Sequence, residues 1–187
     1  MKSFCLEVKA ITKPKIKEGV TVERCALFSL FKFEKSKTMK AQVNEIKISY
    51  KGGLKSSMWQ KISNSKDAAE LLYEDWDKDT IGIQETFKVV LLNNSNKVKG
   101  VYQLSQGGIT GTLIDLRILF AVVLKSLSVA IILTHNHPSG KLQPSDADKR
   151  LTTKIKKASK LFDITILDHL IFAPDGDYYS FSDNGIL

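Results

Sequence analysis

The stretch VAIILTHNHPSGKLQPSDAD, residues 129–148, decides how the chain is read. It opens on a short continuous apolar run, the pattern of a strand buried on both faces. The run delivers the chain to His135 and His137, passes Pro138 and Pro144, and reaches Ser145 and Asp148, which have capping-box spacing ahead of an amphipathic segment. The expected order is strand, stiffened loop, helix. If the backbone is extended at 135–137, both imidazoles project from one side, and two nitrogens two residues apart can converge on an ion at about 2.0–2.1 Å. Asp148 would add an oxygen if the helix opens beneath the strand end. Three protein ligands leave a fourth tetrahedral position for water, which separates a catalytic zinc site from a closed structural one. A plainer reading competes for the same side chain: turned back to the Ser145 amide, Asp148 caps the helix; turned to the histidines, it ligates.

Outward from this stretch the chain alternates strands and helices. On the N-terminal side, Asp115 is placed to cap an apolar helix over Leu116 to Leu127. Before it, QGGITGT (106–112) reads as a flexible loop, and ETFKVVLLNNSNKVKGVYQLS (85–105) as two strands joined by a turn at Asn93 to Asn96. SKDAAELLYEDW (65–76) predicts a helix with Ser65 as N-cap and Ala68, Leu71, Leu72 and Trp76 on one face, and VNEIKISYK (43–51) predicts a strand. On the C-terminal side, residues 146–162 predict an amphipathic helix burying Leu151, Ile155, Ala158 and Phe162. ITILDHLIF (164–172), the PDGD turn and YYSF then form a closing hairpin. This predicts an α/β fold, a mixed central β-sheet covered by helices.

At 187 residues and 43% hydrophobic composition, the chain can bury a sizeable core. Its formal charge of +8 is uneven: residues 1–42 hold ten Lys/Arg against four Glu, leaving about +2 for the rest. The C-terminal part is therefore not a strongly basic nucleic-acid module. Two domains are expected: a basic N-terminal extension at 1–42, read either as a docking arm or as an appendage without a role, and a structured domain at 43–187. Cys5 and Cys25 lack metal or redox spacing and are read as reduced thiols. The opening MKSFCLEVKAITK has no apolar signal core, and Leu116 to Thr134 is interrupted by Arg117 and Lys125, so a cytoplasmic protein without a membrane span is expected.

The pattern His135-x-His137, seven residues, Ser145-x-x-Asp148 resembles the JAMM motif of JAB/MPN metalloproteases. Together with ETFKVVLLN, GGITGT, AIILTHNHPSG and LDHLIF it resembles the RadC branch, over Val43 to Leu187. The resemblance implies a cytidine-deaminase-like JAB/MPN sandwich. It implies zinc (Zn2+) held by His135, His137 and Asp148, with Glu85 as the general base that moves the proton of metal-activated water. It also implies that Ser145 donates to the oxyanion. A zinc-dependent hydrolase of peptide or isopeptide bonds in a protein substrate is the first functional expectation. The alternative is a DNA-repair or mobile-element accessory protein, with nucleic acid held by the basic segment 1–42; a non-catalytic scaffold fits the full ligand set least. The sequence departs from the usual RadC pattern at Lys141, Leu142, Leu116 and Ile118, and residues 1–42 do not resemble the helix-hairpin-helix region of longer RadC proteins. His169, flanked by apolar residues, is read as a core histidine outside the ligand set, with Asp168 and His169 as candidates to orient a ligand.

Overall fold

The structure is a computed structural model that describes residues 53–108 and 113–187. The expected strand at 43–51, both cysteines, the basic segment 1–42 and most of the glycine loop lie outside the described residues.

Helix α1, Ser65–Asp75, is capped by Asn64, whose side chain accepts from Asp67 N at 2.8 Å. The expected cap, Ser65, is instead the first helical residue, because Asn64 already holds the extended backbone and the side-chain acceptor that a cap needs. Strands β1 (Thr86–Leu92) and β2 (Val98–Gln106) form the expected hairpin, with Asn93 Oδ1 accepting from Ser95 N and Lys97 N at 2.9 Å each. Helix α2, Leu116–Lys125, is capped by Asp115, and strand β3 spans Ala130–Asn136. Helix α3 (Asp146–Lys160), strand β4 (Thr165–Phe172) and the short strand β5 (Tyr178–Ser180) complete the chain.

The strands form one mixed sheet in the order β2-β1-β3-β4-β5, antiparallel throughout except for the β3/β4 pair. β1 and β3 are central and buried at every position, as an apolar run covered on both faces requires. Alternation divides their side chains between two cores. Val90, Leu92, Ile132, Leu170 and Phe172 pack against Ala68, Leu72 and Trp76 of the α1 region. Phe87, Val89, Ile131 and Leu133 pack against Leu119 and Val123 of α2 and Ile155 of α3. Lys88, on a buried strand, is held by Asp75 Oδ2 at 2.9 Å and lies 4.5 Å from the centre of the Trp76 ring. Among the described residues no helix is long and apolar enough to cross a membrane.

α3 differs from expectation on one face. Thr152, Ile155 and Ser159 are the buried positions, Leu151 and Ala158 are half-buried, and Phe162 lies past the helix end and is exposed. The helix crosses over between parallel strands, so its N-terminus comes back to the carboxyl end of β3. In α/β sheets that is where ligand crevices form.

Candidate metal centre

His135 is the sixth residue of β3 and His137 follows the strand by one, so both project to the α2/α3 side of the sheet. After His137 the chain turns: Gly140 N donates to His137 O at 2.9 Å, and Gly140 takes φ +75°, which favours glycine there. The turn brings the Lys141 carbonyl to 2.5 Å from His137 Nδ1. A carbonyl only accepts, so Nδ1 carries a proton, and in the neutral ring Nε2 presents a lone pair.

The His135 and His137 Nε2 atoms lie 3.0 Å apart, and Asp148 Oδ1 is 3.3 Å from His135 Nε2. Asp148 Oδ2 is 3.7 Å from His137 Nε2. Four ligands around zinc at about 2.0–2.1 Å are separated by about 3.3–3.4 Å along each tetrahedral edge. The group His135, His137 and Asp148 therefore has the atoms and the spacing to hold a metal ion.

Capping and facing the histidines, alternatives for a single oxygen of Asp148, are met together by its two oxygens. Oδ2 accepts from Ser145 N at 2.7 Å and from Ser145 Oγ at 2.6 Å, while Asp148 N donates to Ser145 Oγ at 3.2 Å. This is a complete capping box, and it leaves Oδ1 directed at His135. Burial opposes ionisation of Asp148, but bonds from His135, His137 and Ser145 outweigh it and hold the carboxyl well below the usual range. The bond to Asp148 raises His137, against the opposing effect of burial.

Glu85 and Ser145 line the same cleft, of about 660 Å³, as His135, His137 and Asp148. Glu85 sits just ahead of β1, where its amide donates to the Gly108 carbonyl at 3.3 Å and its carbonyl accepts from Gly107 N at 2.7 Å. Its side chain is half-buried. Burial raises its pKa, His135 and His137 pull it down, and the Asp148 charge raises it further. A carboxyl whose pKa burial raises, lining the same cleft as the ligand group, is the kind of group that general acid–base chemistry uses. The Ser145 hydroxyl donates to Asp148 Oδ2 in this arrangement, so donating to a substrate oxygen requires the O–H to rotate.

Two residues that hold the site were not singled out from sequence, and a third was left undecided. Asn136, between the two histidines, points to the opposite side and is fully buried. Its Oδ1 accepts from Thr86 N at 2.7 Å, and its Nδ2 donates to Ile81 O at 2.6 Å and Gln84 O at 2.9 Å. It thereby clamps the segment carrying Glu85. The only sequence signal was an amide in an otherwise apolar strand. His169, the undecided one, is fully buried, with Nε2 at 2.8 Å from His135 Nδ1. Burial lowers its pKa well below the usual histidine value. Its other nitrogen, Nδ1, is 2.7 Å from Oγ1 of Thr152, the other residue missed. Asp168 faces the other way: its carboxylate accepts from His169 N, Ser182 N and Ser180 Oγ at 2.6–2.9 Å and ties down the C-terminal turn.

Residues 62–186 match the family described as the RadC-like JAB domain. The chain is 49% identical over 129 residues to a UPF0758 protein of Flavobacterium johnsoniae, covering 68% of this chain and 54% of that one. It is 44% identical over 104 residues to a UPF0758 protein of Porphyromonas gingivalis, covering 56% and 46%. With a UPF0758 protein of Clostridium beijerinckii the identity is 32% over 172 residues, covering 92% and 66%. The chain spans about half the length of the first two of these curated relatives.

Proposed function

This chain belongs to the RadC-like JAB domain family, and from that membership and the site geometry we propose that it is a zinc-dependent hydrolase of the JAMM type, cleaving peptide or isopeptide bonds on a cytidine-deaminase-like JAB/MPN sandwich. One observation carries the reading: three residues whose imidazole nitrogens and carboxylate oxygens approach one another at 3.0–3.7 Å share a cleft with a carboxyl of raised pKa. Zinc suits a His₂Asp set with an open position, and when bound it lowers the pKa of water to about 7 and polarises a carbonyl.

The chain's own residues supply the remainder. Glu85 takes the proton of the attacking water and passes it to the leaving amine, a role worth roughly 10²–10⁴ in rate. Ser145, rotating its hydroxyl from Asp148 Oδ2, donates to the carbonyl oxygen as it gains negative charge. Phe87, Leu113, Ile114 and Leu151 give the cleft an apolar wall, and Lys141 and Lys154 line it as cations, an arrangement suited to an extended peptide with acidic and apolar side chains. The cytoplasm is the compartment consistent with reduced cysteines. A DNA-associated role would rest on residues 1–42, and the cleft gives it no separate support.

Metal analysis of the purified full chain, with Asp148→Ala beside it, tests the site: stoichiometric zinc in the parent and its loss in the variant are expected. Hydrolysis of quenched peptide and isopeptide substrates, with Glu85→Gln as control, tests the reaction. A parent that cannot be loaded with zinc, or a Glu85→Gln protein as active as the parent, would overturn the proposal.

A further inference from the structure

Charge is unevenly placed on the folded domain. Residues 53–108 and 113–187 hold sixteen Lys/Arg against fifteen Asp/Glu, close to neutrality. Helix α3 carries six of those cations, and its two carboxylates, Asp146 and Asp148, both sit in the first turn. Residues 65–79, which are α1 and the turn after it, hold six carboxylates against Lys66 and Lys78. α1 and α3 pack on opposite faces of the sheet, so the sheet separates an acidic side from a basic one.

The cations of α3 form a ridge. Arg150, Lys154 and Lys157 are exposed and follow one another at intervals of four and three residues, which places them on one face about 5–6 Å apart. Like charges at that spacing repel and weaken the helix that carries them. Among the described residues none of the three has an ion-pair partner, and Lys149 beside them reaches only Asp146, at 4.0 Å. With Lys149 and Thr153 the three line a surface groove of about 340 Å³, and Lys154 lines the metal-centre cleft as well. A chain leaving the cleft past Lys154 therefore runs onto Lys157. Along the helix axis Lys154 and Lys157 lie about 9 and 13 Å beyond Asp148, the reach of about three and four residues of extended peptide.

What covers such a ridge must be anionic and extended. A single strand of nucleic acid supplies the charge but brings bases that need aromatic platforms. Among the described residues lining the cleft and the groove, the one aromatic is Phe87, which is 1% exposed and already faces His135. Aspartate and glutamate side chains bring the charge alone. On one side of an extended peptide they repeat every about 6.6–6.8 Å, close to the spacing of the ridge.

We propose that the exposed face of α3 binds an acidic stretch of polypeptide lying about three to five residues from the bond held at the metal centre, with Arg150, Lys154 and Lys157 as its specificity-determining contacts. That this stretch belongs to a substrate rests on the hydrolase reading above; the binding surface does not.

Fluorescence anisotropy on the full chain at about 0.1 M salt, with a labelled peptide of alternating Glu and Ala against its Gln/Ala counterpart, measures the surface. The acidic peptide is expected to bind at least about tenfold more tightly. Arg150→Glu with Lys157→Glu is expected to remove that difference, whereas Lys55→Glu with Lys61→Glu, the same change of net charge outside α3, should leave it within about twofold. Equal weakening by both pairs would reduce the effect to net charge and overturn the proposal. Arg150→Gln with Lys157→Gln keeps good helix formers, is expected to fall between, and decides the matter should the reversal unfold α3. A single-stranded or duplex oligonucleotide that binds more tightly than the acidic peptide, and loses its affinity in the α3 pair, would assign the face to nucleic acid instead. Quenched peptides with acidic residues on either side of the cleaved bond then test turnover. In the zinc-loaded parent kcat/KM should exceed that of the Gln versions through a lower KM, and the excess should vanish in the α3 pair. A parent that binds the acidic peptide through α3 yet cleaves nothing would defeat the hydrolase reading alone. A parent that cleaves without acidic preference, and whose peptide binding the α3 pair leaves unchanged, would defeat the acidic surface alone.

Discussion

Ser145 and Asp148 hold each other through both backbone and side chain: Asp148 Oδ2 accepts the Ser145 amide at 2.7 Å and its hydroxyl at 2.6 Å, and Asp148 N returns a bond to Ser145 Oγ. The helix start is thus also the fixture that aims Asp148 Oδ1 at His135. Stability and chemistry draw on one side chain at position 145, and two substitutions separate them. Ser145→Ala removes cap and hydroxyl together and is expected to cost about 1 kcal/mol of stability. Ser145→Gly is expected to cost only a few tenths. Both lose the hydroxyl proposed as the oxyanion donor, so kcat should fall by about 10²–10³ in each. Denaturant melts beside turnover would check this; a rate loss that tracks stability across the pair would place the effect of Ser145 in folding alone.

Glu85 gives the pH-dependent prediction. Burial raises its pKa in the folded chain, so ionisation is less favourable there than in the unfolded chain. Stability from this group is then fully present below the unfolded value and is lost as pH rises through the folded one. In the metal-free protein, Glu85→Gln should therefore be the more stable at pH 7, by less than about 1 kcal/mol because the group is half exposed, and the gain should vanish near about pH 3. The same variant should keep its zinc and lose about 10²-fold or more in turnover. Melting curves of both proteins across pH, with metal content measured alongside, read both effects. A gain that grew on acidification would reverse the sign and contradict the burial argument.

Asn136 makes three hydrogen bonds from a fully buried position to Thr86 N, Ile81 O and Gln84 O. Removing a buried partner leaves the remaining groups unsatisfied, at about 1–3 kcal/mol each. Asn136→Ala is expected to lower stability by at least about 2 kcal/mol. Asn136→Asp keeps the acceptor for Thr86 and loses both donors, so it should fall between. Because His135 and His137 point to the other side of the strand, zinc affinity should change far less than kcat, which depends on where Glu85 sits. Isothermal titration with zinc against turnover makes the comparison; equal losses in both would remove the clamp from the account.

How much of this was legible in the sequence depended on how local the signal was. His135, His137 and Asp148 lie within fourteen residues and announce themselves by spacing and by a capping pattern. The strands and helices around them followed from hydrophobic period and turn residues, with the α1 cap displaced by one position between two acceptable side chains. What failed was the facing of particular residues. The α3 face was assigned by apolar character, through Leu151 and Phe162, whereas the buried line runs through Thr152, Ile155 and Ser159. A hydroxyl is buried there because the opposite strand offers a histidine. His169 reaches that side through an irregularity in the β3/β4 pairing, where Ile131 pairs with Ile166 and Ile132 with Asp168. One extra residue inverts the alternation, so that Ile166 and His169 share a face. Strict alternation would have turned Asp168 toward the metal group instead. Asp148 fills both roles because a carboxylate has two oxygens, one on the Ser145 cap and one toward His135, a division that residue spacing does not display.

Phe87 tests whether the ligand group is held by packing as well as by hydrogen bonds. Its ring lies 5.9 Å from that of His135 and nearly parallel to it, at 9°, and it meets His169 edge-on. It is 1% exposed, sits one strand away from His135 in direct register, and is two residues beyond Glu85. Truncating a buried phenylalanine costs about 3–5 kcal/mol, so Phe87→Ala is expected to be near the limit of what the fold tolerates. Phe87→Leu keeps most of the volume and should cost less, roughly 1–2 kcal/mol, while removing the flat surface against which His135 lies. Zinc affinity should then weaken several-fold in Phe87→Leu, whereas Leu72→Val in the opposite core should lose comparable stability and leave zinc affinity unchanged. Chelator competition on the two variants at matched stability separates a local packing effect from a general loosening. Equal zinc affinities would mean that the histidine pair is positioned by its hydrogen bonds alone.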